Sequence, residues 1–109
     1  MTEVKIGEAD RGRLIQATQG SPVLLHLPEN PSTGYRWELE PLQSETLMLK
    51  ADTYLPPTTL IPGAGGIRLF EFLARSPGFV LLRLDLRQPW KPEDRAETFE
   101  VTIRVVSHS

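Results

Sequence analysis

The 109-residue chain contains no cysteine. No disulfide staples it and no thiol is on hand as nucleophile or ligand, so stability must come from a packed core and the redox state of its surroundings leaves no mark. Histidine is nearly missing as well, with only His26 and His108 present. A zinc site would have to be completed by carboxylates. The two histidines fall in a strand pattern and at the C-terminus, so they are not expected to share a site, and His26 reads as structural. Glu93 and Asp94 read as a solvated turn rather than a catalytic pair. Together these lacks argue against an enzyme and against a bound cofactor.

Blocks of like charge are also missing. Lys and Arg number 12 against 14 Asp and Glu, a formal charge of -2, which gives no field for nucleic acid or a membrane surface. No apolar run is long enough to span a bilayer, and the opening MTEVKIGEADRGR lacks the apolar centre of an export signal. The chain is expected to be soluble, cytoplasmic as written, or periplasmic or secreted if a signal has been trimmed. Its length fits one domain, 1–109, burying about two-thirds of its unfolded surface.

What the chain does have is ten prolines and eight glycines, set between short runs of Val, Ile, Leu and Phe. Such punctuation leaves few windows for helices and reads as strands and turns. Strands are expected over 14–19, 22–27, 35–39, 47–54, 67–75, 79–87 and 97–106, with a short edge piece at 4–6. The run 47–54 also reads as the start of a helical turn. Period two sets the inward faces. Tyr35, Trp37 and Leu39 share one, as do Phe70, Phe72 and Ala74. Val80, Leu82, Leu84 and Leu86 alternate with Leu81, Arg83, Asp85 and Arg87, and Phe99, Val101, Ile103 and Val105 close the series. About seven strands at this spacing imply an all-β, immunoglobulin-like antiparallel sandwich, with a barrel as the competing architecture.

Lettering the seven strands A to G from residue 14, alternation of direction puts the BC, DE and FG loops at one end. There the unusual chemistry gathers. BC carries Asn30-Pro31-Ser32-Thr33-Gly34-Tyr35, DE carries Ile61-Pro62-Gly63-Ala64-Gly65-Gly66, and FG carries Arg87-Gln88-Pro89-Trp90. Taken singly, Asn-Pro before a glycine is an ordinary turn signal and the glycine cluster an ordinary hairpin connection. The cluster lacks the Lys-Ser/Thr and the helix of a phosphate loop. Trp90, between Pro89 and Pro92, cannot continue a central strand; it either folds back on the core or is displayed for recognition.

As a set, the three loops resemble the chagasin family of protein inhibitors of papain-like cysteine peptidases. Its marks are an Asn-Pro-Thr-Thr-Gly-Tyr/Phe loop, a Gly-X-Gly-Gly loop and an Arg-Pro-Trp/Phe loop, in this order. Two departures stand out. Ser32 replaces a threonine but keeps a hydroxyl, and Gln88 separates Arg87 from Pro89, which along a strand re-aims the arginine. The resemblance implies a reversible, tight-binding, monomeric inhibitor of papain-like, cathepsin L-type enzymes. Thr33 and Gly34 would cover the catalytic residues, Ile61 or Pro62 would make an apolar contact on the non-primed side, and Trp90 would pack on the primed side. The competing reading is a non-inhibitory immunoglobulin-like binding module that uses the same loops. The sequence names neither the target peptidase nor its compartment.

Overall fold

Alternating apolar side chains can bury one face of a strand only if another layer covers it. The computed structural model, which describes residues 3–42, 44–57, 65–91, 93 and 95–108, meets that demand with two four-stranded sheets face to face. The strands are β1 (Val4–Ile6), β2 (Leu14–Thr18), β3 (Pro22–Glu29), β4 (Arg36–Leu39), β5 (Leu47–Leu55), β6 (Gly66–Ala74), β7 (Gly78–Arg87) and β8 (Arg95–Val106). Their order is β1-β3-β6-β5 in one sheet and β2-β8-β7-β4 in the other. This is an immunoglobulin-like sandwich, and the two separate sheets rule out the barrel.

The core follows the period-two reading closely. Phe70, Phe72, Ala74, Leu82, Leu84, Phe99, Val101, Ile103 and Val105 are all buried, with Val23, Leu25, Leu27 and Trp37 facing them. Leu39 and Leu86 pack at its margin. Each of these large side chains removes its apolar surface from water, worth about 1.5–3 kcal/mol apiece. The outward members Arg83 and Arg87 pair with acids on the sheet surface.

The structure departs from the expected layout in several places. The run at 47–54 is strand, as expected, and not a helical turn, but it carries an unexpected bulge between Leu49 and Ala51. Among the described residues two of the pairings are parallel: β1, the expected edge piece, with β3, and β2 with β8. Side-chain period tells which face is buried but not which way a neighbour runs, so these pairings leave no trace in the pattern. From β3 to β8 the remaining pairings are antiparallel, which keeps BC, DE and FG (β3–β4, β5–β6 and β7–β8) at one pole. Strand β3 also runs two residues past the expected 22–27, to Glu29, and β8 starts two residues before the expected 97–106, at Arg95. Short 3-10 turns form at Glu8–Asp10 and, within the BC loop, at Pro31–Thr33.

Asp85, expected outside, is only 7% exposed. It does face outward on β7, but the Thr98 hydroxyl donates to its Oδ1 at 2.8 Å, and the guanidinium groups of Arg83, Arg87 and Arg95 cover it. Burial alone would raise its pKa. The hydrogen bonds from Thr98 and Arg87 and the charges of Arg87 and Arg83 outweigh that, leaving the carboxyl below its ordinary range. A group whose pKa falls on folding stabilises the native state at pH values above its unfolded pKa, near ~3.9, and loses that contribution as pH drops through the folded value. Melting temperature should therefore fall below about pH 4. Asp85→Asn should lower it at pH 7 and flatten its acid slope; an unchanged slope in melts from neutral to acid pH would remove Asp85 from this role.

Candidate functional site

The BC loop is held by its own side chains. Asn30, with φ of -119° and ψ of 104°, is extended, as a residue before proline prefers. Its Oδ1 accepts from the backbone N–H of Ser32 at 3.1 Å and from the Ser32 hydroxyl at 2.8 Å. Pro31 starts the 3-10 turn with its φ already set. The Thr33 hydroxyl donates to the Asn30 carbonyl at 2.8 Å and accepts from the Tyr35 N–H at 3.3 Å. Gly34 ends the turn at φ of 81°, a left-handed conformation open to glycine at little cost. Asn30 and Thr33 are thereby occupied in shaping the loop, while Pro31, Ser32 and Thr33 stand exposed at its tip and Tyr35 is half-buried.

The FG loop turns on itself through the Lys91 N–H, which donates to the Gln88 carbonyl at 2.9 Å. Pro89 takes the second position of that four-residue turn, where its fixed φ is favoured. Trp90 follows, is 66% exposed, and belongs to the displayed rather than the folded-back alternative. One edge of its ring lies over Gly34: a methyl group added there would fall 2.7 Å from Trp90 Cη2 and 3.1 Å from Cζ2. Gln88 Nε2 donates to the Thr33 carbonyl at 3.5 Å. The residue that interrupts the expected motif thus spans from FG to BC.

Arg87 ends β7 at the same pole. Its side chain lies on the outer sheet face, as alternation from Asp85 requires, ion-paired with Asp85 and 3.7 Å from Glu38.

On the DE side, Ile61, Pro62, Gly63 and Ala64 lie outside the described residues. Gly65 abuts the root of BC: a methyl group there would sit 3.2 Å from Asn30 Cβ and 3.3 Å from the Glu29 carbonyl oxygen. At Gly66 an added methyl would fall 2.2 Å from the Leu55 carbonyl oxygen. Gly66 is therefore required by the β5–β6 approach itself.

Glu29 and Arg68 were not singled out from the sequence. Glu29 ends β3 facing inward at 5% exposure. Its Oε1 accepts the backbone N–H of Trp37 at 2.7 Å, and its Oε2 accepts from Arg68 Nη2 at 2.7 Å and Nε at 3.1 Å. Arg68 Nη1 reaches Asp52 at 3.2 Å, and its guanidinium lies 5.7 Å from the centre of the Tyr54 ring. The Glu29 hydrogen bond, working against partial desolvation, raises the Arg68 pKa above its ordinary value. The signal was available: 23, 25, 27 and 29 share one face, and a glutamate at an inward position calls for a partner.

A cleft of about 580 Å³ runs along the flank between β4 and β5, lined in part by Leu39, Leu47 and Leu49. The described tip residues of BC and FG, Pro31 to Thr33 and Trp90, do not line it. Among the described residues no three His, Cys, Asp or Glu side chains are placed to hold a metal ion, and no helix is long and apolar enough to cross a membrane.

Comparison with known proteins agrees with this arrangement. The chain is 29% identical to chagasin of Trypanosoma cruzi over 105 residues, covering 92% of this chain and 96% of chagasin. Its fold matches the crystal structure of the cysteine protease inhibitor EhICP2 from Entamoeba histolytica with a TM-score of 0.78, at 20% identity and 94% coverage of each chain. It also matches PbICP-C, seen in complex with falcipain-2, with a TM-score of 0.71, at 14% identity and covering 96% of this chain and 92% of that one. The sequence model described as "Chagasin family peptidase inhibitor" matches residues 16–105, most of the chain. With that match laid over the sandwich, the protein belongs to the chagasin family of peptidase inhibitors.

Proposed function

We propose that the protein inhibits papain-like cysteine peptidases of the cathepsin L type by seating the BC, DE and FG loops in the active-site cleft. The observation that carries this reading is the contact of BC with both neighbours, through Trp90 over Gly34 on one side and Gly65 against Asn30 on the other. A central wedge with a flank on each side suits a long groove. Ser32, Thr33 and Gly34 cover the peptidase's cysteine and histidine, while Trp90 packs on the primed side and the DE segment lies over the non-primed side.

The chemistry is exclusion without reaction. Gly34 has no side chain, so backbone comes close where a larger residue would collide. The internal hydrogen bonds of Asn30 and Thr33 and the fixed ring of Pro31 order the loop before binding, which lowers the entropy lost on association. An ordered 3-10 turn is also a poor substrate, because proteolysis needs an extended strand in the cleft. A standard interface of about 800 Å² per partner accommodates the three loops. Arg87 plays its part from behind, holding the base of FG through Asp85. A non-inhibitory binding module using the same pole is disfavoured by membership in a family of peptidase inhibitors.

The test is titration of the purified protein against papain and a cathepsin L-type peptidase with a fluorogenic substrate. Nanomolar, reversible inhibition with the BC loop uncleaved is the expected result. A folded sample that leaves both enzymes untouched at micromolar concentration would overturn the reading for this enzyme class.

A further inference from the structure

We infer that Glu29 and Arg68 are positioning residues for the inhibitory pole, fixing the BC loop against the DE strand from beneath; this rests on the proposed inhibition. The stem of BC is closed by two hydrogen bonds from one residue. Trp37 donates its backbone N–H to Glu29 Oε1 at 2.7 Å and its indole N–H to the Pro28 carbonyl at 2.9 Å. Strand β4 is the edge of its sheet, so an edge-strand N–H is met by a carboxylate from the opposite sheet, and the seven residues between Glu29 and Trp37 are drawn into a closed loop.

Arg68 extends the tie. It lies on β6 two residues after Gly66, which is paired with Glu29 in register, and grips the same carboxylate through Nε and Nη2. Asp52 and Tyr54 of β5 hold its other side. The carboxylate of Glu29 thus connects the stem of BC, the strand leaving DE and, through Arg68, the strand entering it. A buried charge with these partners is a stringent locator: any displacement of one strand leaves a desolvated donor or acceptor unpaired. Neither side chain reaches the exposed tip, so they act through the loops and not by touching a peptidase.

The experiment compares wild type with Glu29→Ala, Glu29→Gln and Arg68→Lys by amide hydrogen exchange and by inhibition of papain. Glu29→Gln keeps an oxygen for the Trp37 N–H but discards the ion pair, so it should fall between wild type and Glu29→Ala. In Glu29→Ala the amides of Ser32, Thr33, Gly34 and Tyr35 should exchange about tenfold faster, with Val101 and Ile103 unchanged, and inhibition should weaken about tenfold as ordering shifts to the binding step. Equal loop exchange in wild type and variants would overturn the proposal, as would acceleration shared with the core. If Glu29→Ala does not fold, the folded Glu29→Gln and Arg68→Lys decide by the same measure. If wild type fails to inhibit, the proposed function falls while loop exchange still decides whether the pair positions the pole.

Discussion

Trp90→Ala should weaken inhibition of a papain-like peptidase by roughly thirtyfold, about 2 kcal/mol, with no loss of melting temperature. The two halves of that expectation have separate causes. Trp90 is 66% exposed and contributes nothing to the buried core, so its truncation leaves the sandwich intact. In a complex the same ring brings a large, rigid apolar surface held by only two side-chain torsions, the profile of an interface anchor. Steady-state inhibition constants and thermal melts on the same samples check both halves. An inhibition constant within twofold of wild type would end the anchor role and shift the burden to BC alone.

Gly34→Ala should cost at least as much inhibition, by a different route. At φ of 81° an alanine is strained by about 1–2 kcal/mol, and its methyl group would meet Trp90 Cη2 at 2.7 Å. Either the turn leaves the left-handed region or the indole swings away, and both alter the surface offered to the cleft. The effect should be fiftyfold or so, combining the strain with the lost placement of Trp90. Because the two residues touch, their effects should not add: Gly34→Ala in the Trp90→Ala background should cost distinctly less than in wild type. Strict additivity in that cycle would mean that the indole and the turn bind independently.

Much of this was legible from the residues. The buried faces of β6, β7 and β8 follow from alternation alone, since Phe70, Leu82 and Ile103 each repeat a pattern that only one sheet face satisfies. The meeting of BC, DE and FG followed from strand parity. Other features were not read from the sequence, each for a physical reason. Parallel pairing of β1 and β2 is a property of partners far apart in the chain. The burial of Asp85 depends on arginines and a threonine that surround it on neighbouring strands, and no local pattern encodes them. The ion pair of Arg87 with Asp85 joins two residues on one face of β7, which alternation shows, but the motif gives no sign of it. Glu29 was passed over because Pro28 reads as the start of a loop, although the inward face of 23, 25 and 27 runs on to it and the ladder continues to Gly66.

The parallel pairings have a consequence for how the molecule can be carried. Val4 lies beside Val23 at the start of β3, and Val106 lies beside Thr18 at the end of β2. The first strand, β1, therefore begins and the last, β8, finishes at the pole away from BC, DE and FG. The eight residues of β3 put roughly 25 Å between that pole and the loops. A tether, a surface linkage or a fused protein at either extremity points away from the loops, so the inhibitor can be immobilised or joined in tandem with its working end facing outward.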